Sequence, residues 1–79
     1  MFFVYVLRNG SDGGLYIGST NDLTRRLREH RLNFPKNQII YYEAYTEEHL
    51  ARNREKKLKQ YGSAWRGLKK RIGAWRAGC

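Results

Sequence analysis

The stretch FFVYVLRNGSDGGLYIG, residues 2–18, decides the architecture. Residues 2–7 are an unbroken run of aromatic, β-branched and aliphatic side chains, as a central strand requires. Asn9-Gly10-Ser11-Asp12-Gly13-Gly14 follows, made of residues that turn the chain. Leu15-Tyr16-Ile17-Gly18 then returns as a second strand, so the three pieces predict a hairpin. Symmetric pairing about the loop sets Arg8 opposite Leu15, Leu7 opposite Tyr16 and Tyr5 opposite Gly18. Tyr5 and Tyr16 therefore share a face. Gly18 brings no side chain to it, which leaves space beside the Tyr5 ring for a groove along the backbone.

Downstream, Thr20 or Asn21 is placed to cap a helix over residues 22–32, with Asp22 favourable in its first turn. Leu23 and Leu27 form its buried stripe. At about 100° per residue, His30 lies ~20° from Leu23 and Arg26 ~60° from it, so both edge the stripe. Arg25, Arg28 and Arg31 point to solvent. Asn33-Phe34-Pro35-Lys36-Asn37 breaks the helix, and residues 38–45 alternate loosely as a third strand. Thr46 is the expected cap of a second helix, with Glu47 and Glu48 at its start, Lys56, Lys57 and Lys59 towards its end, and Gly62 as its stop. Ala51 and Leu58 mark its inner face, and Glu55, four after one and three before the other, lies on or beside it. Ser63 opens a last helix in which Trp65, Leu68 and Ile72 face inward and Gly73 ends the run. Residues 74–79 read as a loose tail, with Trp75 available to cover the core. The order β-β-α-β-α-α predicts an α+β fold, a small three-stranded antiparallel sheet flanked by helices, in one domain over residues 1–79.

A chain of 79 residues and 9.4 kDa has no room for a second domain. With 41% hydrophobic residues and a single proline it is too apolar to be a disordered tail. Cys79 alone cannot form an intrachain disulfide, and one Cys with two His cannot complete a four-ligand zinc site. Packing alone must hold the fold, as in a reducing compartment. No apolar run reaches a membrane span, and Arg8 falls too early for a signal-peptide core; the expectation is a soluble, cytoplasmic protein with no membrane contact. No feature calls for a protein partner. Charge is the stronger signal: residues 1–48 carry six basic and six acidic side chains, so the formal net charge of +9 resides in the last 31, where ten bases face Glu55 alone. A basic segment of this kind suits nucleic acid, anionic lipid or simple solubility, and its two Trp and Tyr61 favour nucleic acid.

The sequence has no Gly-rich phosphate loop, Ser-His-Asp set or CxxC pair. It does place five polar residues on or beside buried faces: Tyr5, Tyr16, Arg26, His30 and Glu55. Each has a plain structural use when taken alone, the tyrosines as half-buried core, Arg26 as a snorkelling stem, His30 as a carbonyl partner and Glu55 as the i, i+4 partner of Lys59. Together they supply what phosphodiester hydrolysis needs: a proton acceptor for water, a cation for the developing charge, and a carboxylate for a divalent metal.

In order, Phe3-Val4-Tyr5, Tyr16-Ile17-Gly18, the helix segment Asn21 to His30, and Ala51-Arg52-Asn53-Arg54-Glu55-Lys56-Lys57-Leu58-Lys59 resemble the GIY-YIG endonuclease domain, over nearly the whole chain. Tyr5 falls on the last residue of GIY, Tyr16 on the first of YIG, Arg26 on the helix arginine, His30 one turn beyond it, and Glu55 on the metal-binding glutamate. Phe3 and Val4 depart from the first two GIY positions, and no asparagine follows Asn53. The resemblance implies a metal-dependent endonuclease that hydrolyses DNA by water attack without a covalent intermediate, in DNA repair, recombination or processing. It implies one divalent ion on Glu55, Mg²⁺ ahead of Mn²⁺, with Tyr5 or Tyr16 as the base. Gly18, Ser19, Lys56, Lys59, Lys69, Lys70 and Arg71 are the expected contacts to the strand. A domain this small suits single-stranded, flap or branched DNA, with RNA also open. The rival is a DNA- or RNA-binding module on the same scaffold that cuts nothing.

Overall fold

The first strand, β1 (Phe2–Asn9), takes the middle of a three-stranded antiparallel sheet, with β2 (Leu15–Thr20) on one side and β3 (Asn37–Tyr45) on the other. The computed structural model describes residues 1–73, so the expected tail and Trp75 lie outside the described residues. The hairpin register is the predicted one, with Arg8 opposite Leu15, Leu7 opposite Tyr16 and Tyr5 opposite Gly18. Its loop closes through Asn9 N–H to the Gly14 carbonyl at 2.9 Å and Gly13 N–H to the Asn9 carbonyl at 2.7 Å. Gly13 turns the chain at φ 75°, a value that side chains disfavour. Helices cover both faces of β1, so Val4, Tyr5, Val6 and Leu7 are each 1% exposed or less.

The two faces differ. On one, Val4, Val6 and Ile17 pack with Ala51 and Leu58 of α2 (Glu48–Gln60) and Leu68 of α3 (Gly62–Ile72), with Trp65 and Ile72 against them. This is the main core. On the other, α1 (Leu23–Asn33) lies over Tyr5. A register shift between Val6 and Leu7 sets Val6 opposite Tyr41 and Leu7 opposite Ile39. It turns Ile40 towards the main core together with Tyr41, which a strict alternation would forbid.

Several expectations need correction. The cap of α1 is Asp22, whose side chain accepts from Arg25 N–H at 3.0 Å; Thr20 Oγ1 instead accepts from Asp22 N–H. No residue of α1 is fully buried, and Leu23 and Leu27 are only partly covered, because the helix is an outer layer over one sheet face. Arg31 does not simply face solvent: its Nε–H donates to the Asn37 carbonyl at 2.9 Å and ties α1 to β3. Glu47, not Thr46, precedes α2, without a side-chain cap. Gly62 does not end α2 in a loop but is the first residue of α3. Tyr61 alone breaks the run with extended backbone, donating to the Lys57 carbonyl and accepting from Ala64 N–H. Gly73 ends α3 in the left-handed conformation, as its position predicts. Among the described residues no helix is long and apolar enough to cross a membrane.

Candidate active site

The site forms where β2, the edge strand, passes between α1 and α2. Alternation along β2 sends Tyr16 and Gly18 to the α1 side and Ser19 to the α2 side, so one strand serves two layers. On the α1 side, Arg26 and His30 are four apart on the helix and reach the same phenol. Arg26 Nε–H donates to Tyr5 Oη at 3.2 Å, and Tyr5 Oη lies 3.1 Å from His30 Nε2. The His30 ring is 4.9 Å from that of Tyr16, and the two tyrosine rings are 6.3 Å apart. Four of the five predicted residues thus form one cluster.

Gly18 has a different use from the one expected. The Tyr5 ring itself fills the space over it: a Cβ there would lie 2.6 Å from Tyr5 Cζ and 3.0 Å from Tyr16 Cε1. The groove is closed by an aromatic lid on a glycine.

On the α2 side, Glu55 Oε1 accepts from Ser19 Oγ at 2.5 Å and Oε2 from Lys59 Nζ at 2.8 Å. Lys59 also stands 5.8 Å from the centre of the Tyr16 ring, which links the carboxylate to the tyrosine cluster. Two adjoining clefts, of about 440 and 410 Å³, share Ser19 and Arg52; the first reaches Arg25 and Arg26, the second Glu55, Lys56 and Lys59. The α3 cations lie elsewhere. Lys69 and Lys70 border a shallow cleft that shares no residue with these two, Lys69 Nζ is 5.3 Å from the Trp65 ring, and Arg71 donates to Tyr41 Oη.

Electrostatics assigns the protons. Burial raises the Tyr5 pKa, and the opposing hydrogen bond and charge of Arg26 do not overcome it, so Tyr5 keeps its proton at neutral pH. Burial and then Arg26 lower the pKa of His30 below its ordinary value, which leaves the imidazole neutral. Arg26 Nε can only donate, so the Tyr5 proton is directed to His30 Nε2, with the ring proton on Nδ1. Glu55 is raised by burial but lowered further by Lys59 and Ser19; it is a carboxylate at neutral pH. Tyr16 is the exposed member, at 44%.

Glu43 escaped the sequence reading. It accepts from Tyr41 and Tyr45 hydroxyls at 2.6 Å each and from Arg54 Nε and Nη2 at 3.0 and 3.2 Å. Arg54 precedes Glu55, so this cluster holds α2 against β3 at the turn that carries the site carboxylate. Its signal was legible as an acid flanked at i−2 and i+2 by tyrosines within an apolar strand.

Among the described residues no three His, Cys, Asp or Glu gather as a metal cage. One carboxylate suits a hydrated ion that solvent and phosphate also coordinate, the mode Mg²⁺ prefers, and Glu55 fits that role once Lys59 moves aside. The tyrosine pair, Arg26 and Glu55 thus meet at a solvent-open edge of the sheet, where Glu29 and Glu48 also line the first cleft. Residues 1–69 match the GIY-YIG catalytic domain, and the chain belongs to that family. No curated protein and no solved structure gives a significant match. GIY-YIG nucleases generally depend on a divalent metal and act on nucleic acid.

Proposed function

We propose that the chain is an endonuclease that hydrolyses DNA phosphodiester bonds by in-line attack of water, with no covalent intermediate. The observation that carries this is the joining of Tyr16, Arg26, His30 and Tyr5 in one cluster that Lys59 connects to Glu55. Tyr16, the exposed phenol, orients the attacking water, and its phenolate form is the base that takes the water's proton. Arg26 neutralises the phosphate, held by Tyr5 and by Glu29, whose Oε1 accepts from its Nη1 at 3.2 Å. Tyr5 is the positioning residue, because its hydroxyl is engaged on both sides and keeps its proton. His30 fixes the Tyr5 hydroxyl and packs on the Tyr16 ring. Glu55 would hold a divalent cation, Mg²⁺ in preference to Mn²⁺, which when bound supplies charge neutralisation at the phosphate and the leaving 3′ oxygen. Lys56 and Lys59, on the same helix, follow the backbone. The proposed setting is the cytoplasm, and the proposed substrates are single-stranded, flap or branched DNA arising in repair, recombination or processing.

One observation favours a binding module without catalysis: Lys59 already neutralises Glu55, as a silent scaffold would require. Incubation with labelled single-stranded, duplex and branched DNA, in Mg²⁺ or in chelator, separates the two. Cleavage only with metal supports the nuclease. Retention of the DNA uncut with Mg²⁺ and with Mn²⁺ supports the module.

A further inference from the structure

Another cleft borders the tyrosine cluster, and its chemistry differs from that of the two that share Ser19. It measures about 380 Å³. Leu7 and Leu15 form its apolar part, and Tyr16, His30 and Phe34 supply rings, with Asp12 and Asn37 also lining it. Phe34 follows α1 directly and is 53% exposed, so its ring is open to a partner. Asn37 is the one buried polar residue among the described residues, at 6% exposure. Asp12 Oδ1 accepts from Gly14 N–H at 2.8 Å, which holds the carboxylate at the loop.

Tyr16 and His30 belong both to this cleft and to the catalytic cluster, so whatever fills it adjoins the bond under attack. A cleft lined by rings, a carboxylate acceptor and an amide, beside a phosphate site, has the chemistry of a nucleobase seat: rings stack on a base's faces and polar groups meet its edge. We propose that this cleft receives an unpaired nucleobase next to the scissile phosphate, stacked on Phe34. This rests on the nuclease reading for the position of the phosphate. The acceptor at Asp12 favours bases with an exocyclic amine, and a paired base inside a duplex has neither a free face nor a free Watson–Crick edge to offer. The substrate class is therefore a strand unpaired at the cut.

The test is binding of fluorescein-labelled decadeoxynucleotides, measured by anisotropy in chelator so that nothing is cut. Phe34→Ala weakens single-strand binding by roughly 5- to 150-fold, the usual range for loss of one stacked base, while Phe34→Trp binds within about twofold of wild type. Exposure of Phe34 makes both variants foldable, checked by circular dichroism. An abasic residue moved through the strand costs wild type a similar factor at one position and costs Phe34→Ala nothing there. The salt dependence is the same in wild type and Phe34→Ala, because no phosphate contact is lost. Equal binding by Phe34→Ala, additive losses from the two changes, or a shallower salt slope would each overturn the proposal. If wild type cuts nothing in any metal while the stacking signature holds, the nuclease reading fails and the base seat stands.

Discussion

The Tyr5 hydroxyl lies 3.1 Å from His30 Nε2, and Tyr5 is 1% exposed whereas Tyr16 beside it is 44% exposed. Burial thus divides two tyrosines that alternation alone had made equivalent. Tyr16→Phe should lose at least about 10²-fold in single-turnover cleavage at neutral pH, the size expected of a lost general base. Tyr5→Phe should lose less and keep its dependence on pH, since it removes only the brace on Arg26. Equal rates for both variants and wild type would shift water activation to His30 or to metal-bound hydroxide.

Glu55→Gln should abolish Mg²⁺-dependent cleavage while DNA binding in chelator stays equal or tightens. The amide keeps shape but loses a metal ligand and a negative charge near phosphates. Wild-type cleavage by this variant would end the assignment of Glu55.

Salt should weaken binding steeply. If about four phosphates are contacted, log K falls against log salt with a slope of roughly −3. Arg52→Ala and Lys56→Ala should each make that slope shallower, because both residues line the clefts at the site. Charge removal at Lys70 on α3 should change it less, and a larger effect there would move the strand to the other helix.

Gly18→Ala forces the Tyr5 ring off the strand. The added methyl should cost about 1–3 kcal/mol of stability, as overpacking does, and should also lower cleavage, because Arg26 and His30 lose their shared partner. A melting temperature equal to wild type would contradict the ring-on-glycine packing.

The Glu43 cluster sets a pH window for the fold. Burial raises the Glu43 pKa, but the two phenols and Arg54 lower it further, so the native carboxyl binds protons less readily than the unfolded one. The associated stability is present above the unfolded pKa and is lost as pH falls through the depressed native one. Tyr45 runs the other way. Burial first, then Glu43, push it up to about 12, so its contribution is present below the ordinary phenol pKa and is lost as pH rises from there towards 12. Glu43→Gln should remove its acid limb from a stability profile measured by urea unfolding and weaken the alkaline one, which burial of Tyr45 still sustains, and should cost about 1–3 kcal/mol near neutrality.

The strand order and hairpin register were legible because one apolar run, one turn-dense loop and one return strand allow a single symmetric pairing. So was the gathering of Tyr5, Tyr16, Arg26 and His30 on one sheet face, with Glu55 on the inner side of α2, since fixed spacings on strands and helices place them there. The bulge at Ile40 was not legible; a loose alternation does not say which residue is the extra one. Nor was Arg31, which helical phase sends outward, yet its stem is long enough to return to the Asn37 carbonyl. The closing of Gly18 by Tyr5 was missed for a related reason, because an absent Cβ looks like vacancy until a neighbouring ring is placed.

Because β2 is an edge strand, its outer row of N–H and C=O groups is a template that another extended chain could join. The lysines and arginines that line the adjoining clefts make that row a poor landing place for a strand of this same basic protein. Solubility and function are therefore coupled at one margin of the sheet. Variants that strip cations from the clefts to quiet DNA binding, Arg25, Arg52, Lys56 and Lys59 together, expose a sticky border and should self-associate at concentrations where wild type stays monodisperse.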